Sequence, residues 1–131
     1  MKAPVLNTHR LFLEPLSQKH ISDSYVFWMN NPLVIKYLES GGDYSLEKLR
    51  HYIEEVETKN IFFWAIIIQE SGQHIGNIKI DPIQQRHGVG EYAIMMGETS
   101  AWGKGYAEEA SLAVIDYAFS ALHLRKITLG V

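Results

Sequence analysis

Between residues 91 and 122 the chain passes from an apolar stretch, Glu91-Tyr92-Ala93-Ile94-Met95-Met96, through a loop that closes with Gly103-Lys104-Gly105, into a long helical pattern. Ala107, Ala110, Leu112, Val114, Ile115, Ala118, Phe119 and Leu122 spread around nearly the whole circumference of that helix, which is therefore expected to be buried on more than one side. A helix of that kind belongs against a sheet, and the class that follows is α/β. The 131 residues, 47% of them hydrophobic, suffice for one core and exclude a long multidomain reading.

The remaining segments supply the sheet and its other cover. Residues 6–16 mix Leu11, Phe12 and Leu13 with His9, Arg10 and Glu14 and end at Pro15, which predicts a first strand. Ser17 is placed to cap a helix from Gln18, where Ile21, Tyr25 and Trp28 recur at helical spacing up to Asn30-Asn31-Pro32. A helical turn is expected over residues 33–38, and Ser45 caps a helix whose Leu46, Leu49, Ile53 and Val56 share a face. Residues 61–69, aromatic and β-branched, pair with residues 73–80 as a hairpin around Ser71-Gly72. Residues 82–88 read as a polar connection, 89–96 as a fourth strand and 125–131 as a fifth.

Composition removes several functions. Twelve Lys and Arg against 15 Asp and Glu give a net charge of −3, without the basic surplus of a nucleic-acid binder. No cysteine means no disulfide, thiolate metal site or cysteine nucleophile, in keeping with a reducing compartment. His9, His20, His51, His74, His87 and His123 show no HxxxH or HExxH spacing, so no metal is expected. The first ten residues lack the apolar run of a signal peptide, and no later run approaches the ~20 residues of a membrane span. The expectation is a cytoplasmic protein with no membrane partner.

The glycine loop points to an anion. Backbone N–H groups at a helix start carry the positive end of the helix dipole, and glycine lets phosphate oxygens approach them. Lys104 adds a mobile cation. The two glycines serve equally well to shape a strand-to-helix turn. Two nucleotide motifs fail here: Lys104 is followed by Gly105 where a P-loop needs Ser or Thr, and the letters from Gly88 to Ala93 that match a dinucleotide fingerprint precede a strand.

Thr8-His9-Arg10-Leu11, Trp28-Met29-Asn30-Asn31-Pro32, Ile75-Gly76, Gly90-Glu91-Tyr92 and above all Trp102-Gly103-Lys104-Gly105-Tyr106-Ala107-Glu108-Glu109-Ala110 make the whole chain resemble the Gcn5-related N-acetyltransferases (GNAT). The branch resembled is that of the ribosomal-protein alanine and nucleotide-sugar amine acetyltransferases. The resemblance implies an acyl-CoA N-acyltransferase fold, a mixed, mostly antiparallel central sheet flanked by helices, in a single domain over residues 1–131. It implies acetyl-CoA as co-substrate, with the pantetheine arm on the free edge of Ile94, Met95 and Met96 and the pyrophosphate on Trp102, Gly103, Lys104, Gly105, Tyr106 and Ala107. Trp102 stands where the family pattern has a polar residue.

An alkylamine acceptor carries a proton at pH 7, and removing it costs roughly 4 to 5 kcal/mol without help. By the resemblance the amine attacks the thioester directly, a backbone amide of the fourth strand polarises the carbonyl, and Glu91, acting through water, is the first choice of base. Its other reading is an edge carboxylate paired with a neighbouring strand. Acceptor contacts are expected from Asn30, Asn31, Tyr37 and Trp64, each of which has an ordinary structural role as its alternative. The acceptor is expected to be a small amine or an amino sugar on a nucleotide carrier, with a protein N-terminus as the alternative and a non-catalytic acyl-CoA-binding module as the alternative from another class. Against the fold it resembles, the chain is short: a helix and two strands beyond the fifth strand are expected to be missing. The apolar end then predicts either a truncated sequence or one completed by a partner chain, so that the isolated chain either forms a homodimer through that strand or is poorly stable.

Overall fold

The computed structural model describes residues 3–36, 42–59 and 61–129. Its sheet has six strands in chain order: β1 (Leu6–Asn7), β2 (Leu11–Pro15), β3 (Phe62–Ile68), β4 (His74–Gln84), β5 (Val89–Met96) and β6 (Lys126–Leu129). Neighbours are antiparallel from β1 to β5, and β5 and β6 are parallel. Four α-helices are described: α1 (Asp23–Asn30), α2 (Pro32–Ile35), α3 (Leu46–Lys59) and α4 (Tyr106–Ser120). The mixed, mostly antiparallel sheet with helical flanks is the class expected.

Both faces of the sheet are covered, and β3 shows why its sequence is a continuous apolar run. Trp64 and Ile66 enter one core with Leu11, Leu13, Ile78, Ile80 and the α4 residues Ala110, Val114 and Ala118. The alternate residues Phe63, Ala65 and Ile67 enter the other, with Tyr25, Trp28 and Met29 of α1 and Leu49, Ile53 and Val56 of α3. The i, i+4, i+8 line of Ala110, Val114 and Ala118 lets α4 approach the sheet closely. As the crossover between β5 and β6, α4 makes their parallel pairing possible.

Several boundaries differ from the sequence reading. The first run is two strands, because Thr8 closes a turn in which its N–H donates to the Leu11 carbonyl at 2.9 Å and its hydroxyl accepts from the Leu11 N–H at 3.0 Å. Ser17 caps only a 3-10 turn, Gln18–His20. Ser22 caps α1, accepting from the Tyr25 N–H at 3.1 Å. Strand β4 continues to Gln84 through the cis Asp81–Pro82 bond, since a register shift between Ile80 and Ile83 absorbs the proline. Among the described residues, helix α4 is buried on one side only: Leu112 is 59% exposed and Phe119 44%. Ser45 caps α3 as expected, accepting from the Lys48 N–H at 3.1 Å. The end of the predicted 33–38 turn and residues 130–131 of the predicted last strand lie outside the described residues.

Candidate active site

Strand β5 extends past its described pairing with β6, which leaves backbone groups on one edge without a strand partner among the described residues. The described β6 pairs with β5 only from Val89↔Lys126 to Tyr92↔Leu129. Beyond that, Ala93, Ile94, Met95 and Met96 pair with β4 on one side, and among the described residues nothing pairs with their other edge. Ile94 and Met96 lean on the α4-side core, and Met95 on the α1–α3 side. All three are partly exposed.

The strand ends where two glycines are required by close packing. A Cβ on Gly76 would stand 2.3 Å from the Met95 carbonyl oxygen, and one on Gly97 would stand 2.0 Å from Trp28 Cδ2. The Gly97 and Glu98 N–H groups both donate to the Ile75 carbonyl, at 2.9 and 3.0 Å. Trp102 then folds back, its indole donating to the Met96 carbonyl at 2.9 Å, so the position that departs from the family pattern closes the strand end. Gly103 and Gly105 follow with φ of +77° and +81°, the left-handed region that favours glycine. Gly105 is the N-cap of α4 and makes no side-chain cap. The first N–H groups of the helix therefore have no side-chain cap, Lys104 beside them is exposed, and a Cβ on Gly103 would meet nothing within 4 Å. This cradle fits a diphosphate: amide donors, a helix dipole, an exposed lysine, and no Cβ in the way.

Across the loop lies a cluster absent from the expected site residues. Arg10 donates through Nε to Glu109 Oε1 at 2.7 Å, through its backbone N–H to Glu109 Oε2 at 2.8 Å, and through Nη1 to the Lys104 carbonyl at 2.9 Å. The Thr8 hydroxyl also donates to Glu109. Burial pushes the Glu109 carboxyl up, but these donors together outweigh it and hold the group below its ordinary range. Thr8, Arg10 and Glu109 lay within the strings that carried the resemblance, yet their meeting is invisible in a pattern that separates them by about a hundred positions.

Glu91 is exposed. It stands opposite Thr128 of β6 and beside the bulged segment of β4. Strand alternation places it on the Ala93 and Met95 face, turned toward α1 and α3. Tyr92 packs on the α4-side core. The acceptor candidates fare differently. Asn30 clasps the Tyr44 backbone, donating to its carbonyl at 3.0 Å and accepting from its N–H at 2.7 Å. Asn31 caps α2 by accepting from the Leu33 N–H at 3.1 Å. Trp64 is fully buried and donates to the Pro4 carbonyl at 2.7 Å, so it offers no surface to an acceptor. Tyr37 lies outside the described residues.

Under α1 runs a buried polar group. His74 lies against Trp28 and His20, with ring centroids 4.8 and 5.3 Å apart, and shares a 2.8 Å hydrogen bond with Asn77. Burial holds His74 down at about 4, against the opposing pull of Asn77. Burial also lowers His20, whose Nδ1 accepts from the Ser17 N–H at 3.1 Å. Its Nε2, 3.6 Å from Glu14, has no hydrogen-bond partner among the described residues. A cavity of about 320 Å³ lined by Pro15, Leu16, Lys19, Val56 and Phe63 opens at the far end of the sheet from the glycine loop. Among the described residues no three His, Cys, Asp or Glu side chains are grouped to hold a metal ion, and no helix is long and apolar enough to cross a membrane.

Known proteins share this fold. The chain is 29% identical over 126 residues to the N-acetyltransferase p20 of Bacillus licheniformis, spanning 93% of this chain and 70% of that one. An acetyltransferase of the GNAT family from Bacillus anthracis superposes with a TM-score of 0.81 at 20% identity, over 95% of this chain and 71% of that one. Spermidine N-acetyltransferase from Vibrio cholerae, solved with CoA and spermine, superposes with a TM-score of 0.79 at 22% identity, over 92% and 70% of the two chains. The family description "Acetyltransferase (GNAT) domain" matches residues 10–131, and with almost the entire chain so accounted for, it belongs to the GNAT acetyltransferases, which draw their acetyl group from acetyl-CoA.

Proposed function

We propose that the chain transfers acetyl to a primary amine, with the acceptor a small amine or an amino sugar on a nucleotide carrier. The observation that carries this reading is the run of β5 residues 93–96 whose edge away from β4 has no strand partner among the described residues, followed directly by a loop whose N-cap is a side-chain-free Gly105. The free edge of residues 93–96 suits an amide-bearing arm, as a further strand would, and residues 103–107 suit a diphosphate. When bound, acetyl-CoA supplies an activated thioester carbonyl. A backbone N–H of β5 polarises that carbonyl, and a fixed donor of this sort costs no reorganisation at the moment of reaction. Glu91, exposed on the face turned toward α1 and α3, takes the proton from the ammonium through a water molecule.

Screening amines with acetyl-CoA and following thiol release tests the acceptor. Turnover of an amino sugar or small amine is expected; turnover of N-terminal peptides alone would move the acceptor to proteins, and CoA binding without turnover of any amine would make the chain a binding module. For the base, Glu91→Gln is expected to lower kcat by about 100-fold or more. Unchanged activity would remove Glu91 from the mechanism.

A further inference from the structure

The turn between β1 and β2 reaches the loop in front of α4, and its contacts are directional. We propose that Arg10 is a positioning residue for co-substrate binding: it holds the Lys104–Gly105 peptide so that the Gly105 N–H faces the diphosphate, and it offsets the charge of Glu109, to which the Thr8 hydroxyl also hydrogen-bonds. This rests on the reading that residues 103–107 receive the diphosphate of CoA.

The argument begins with peptide geometry. In a planar trans peptide the C=O and the following N–H point in opposite directions. Arg10 Nη1 binds the Lys104 carbonyl at 2.9 Å, so the Gly105 N–H of the same peptide is turned away from Arg10, toward the open side of the loop. Gly105, at φ +81°, has no side chain to hold it there. The tether is itself held: Arg10 Nε is on Glu109 at 2.7 Å, and its guanidinium lies over the Tyr106 ring, 4.4 Å from the centroid. Charge supplies the second part. Glu109 sits in the first turn of α4, where a carboxylate suits the helix dipole but repels an incoming diphosphate. The donors from Arg10 and Thr8 occupy it and keep it turned to the β1–β2 side. A lysine at position 10 would keep the charge and lose the fork that grips two acceptors at once.

The test titrates CoA by calorimetry into the wild-type chain, Arg10→Lys, Arg10→Gln and Gly105→Val, with melting curves and amide hydrogen exchange on each. Arg10→Lys and Arg10→Gln should each weaken CoA about tenfold, the loss of a charge-assisted hydrogen bond. Exchange at residues 103–107 should quicken while the rest of α4 keeps its protection. Either variant suffices should the other fail to fold. If Gly105→Val loses CoA while both Arg10 variants bind within about twofold of wild type, the positioning role is refuted. Weaker binding with unchanged loop exchange also refutes it, leaving charge alone as the contribution. If Gly105→Val binds CoA as wild type does, the loop is not the diphosphate site, and the underlying reading is the one that fails.

Discussion

Replacing Gly97 by alanine probes the junction between β5 and the glycine loop with a single methyl group. The backbone at Gly97 is not in the left-handed region, so the cost is steric. The new Cβ would lie 2.0 Å from Trp28 Cδ2 and 2.4 Å from both Cε3 and Cγ. Carbon atoms rest at about 3.5 to 4.0 Å, so about 1.5 Å of overlap must be relieved. Trp28 has nowhere to go: it is 1% exposed and boxed by His74 and Tyr25, with centroids 4.8 and 5.5 Å away. Overpacking of a rigid core costs about 1 to 3 kcal/mol, and an overlap with an immobile ring belongs at the upper end. At about 2.1 cal/mol/K per residue over 131 residues, about 3 kcal/mol lowers Tm by about 10 °C. Urea unfolding and thermal melts of Gly97→Ala, Trp28→Leu and the double variant read the effect as a cycle. With the indole gone, alanine at 97 should cost about 0.5 kcal/mol or less. A Tm within about 2 °C of wild type for Gly97→Ala, or the same penalty with and without Trp28, would refute the reasoning.

Acid should loosen the α1 side of the fold before it touches the carboxylates. The folded pKa of His74, about 4, lies below the unfolded value near 6.5, so the unfolded chain binds more protons between the two, and stability present above pH 6.5 is lost as pH falls through that window. The loss between pH 7 and pH 5 is about 2 kcal/mol for His74, and His20, also lowered, adds in the same direction. Urea midpoints across that range should fall less steeply for His74→Asn, and parallel slopes would sink the assignment. At the other end of β5, a Cβ on Gly90 would stand 2.7 Å from Leu124 Cδ1. Gly90→Ala should therefore cost about 1 to 3 kcal/mol in the same unfolding assay, and Leu124→Ala should remove most of the added penalty.

What was legible beforehand depended on how local the cause is. A serine before an amphipathic run marks a helix start wherever it occurs, and Ser45 starts α3 for that reason alone. Ser17 and Ser22 are both competent caps. The burial of Tyr25 and Trp28 over β3 and β4 accompanies a helix that begins at the second. The glycines of the loop were readable because a positive φ is a property of one residue. Gly76 and Gly97 are required instead by neighbours from other elements, which no spacing rule reveals. Asn30 and Asn31 looked equally suited to a substrate and to a turn; the structure spends them on the Tyr44 backbone and the α2 cap. The all-round apolar pattern of α4 predicted cover on more than one side, whereas among the described residues Leu112 and Phe119 stay exposed.

By itself the sequence determined the class, the sheet-borne helix and the glycine cradle, because periodicity and backbone freedom act within a few residues. Only the tertiary structure decided that Trp28 rests on Gly97, and that Arg10 reaches Lys104 and Glu109. Those contacts join residues far apart in the chain, and their geometry is set by how the sheet and helices pack.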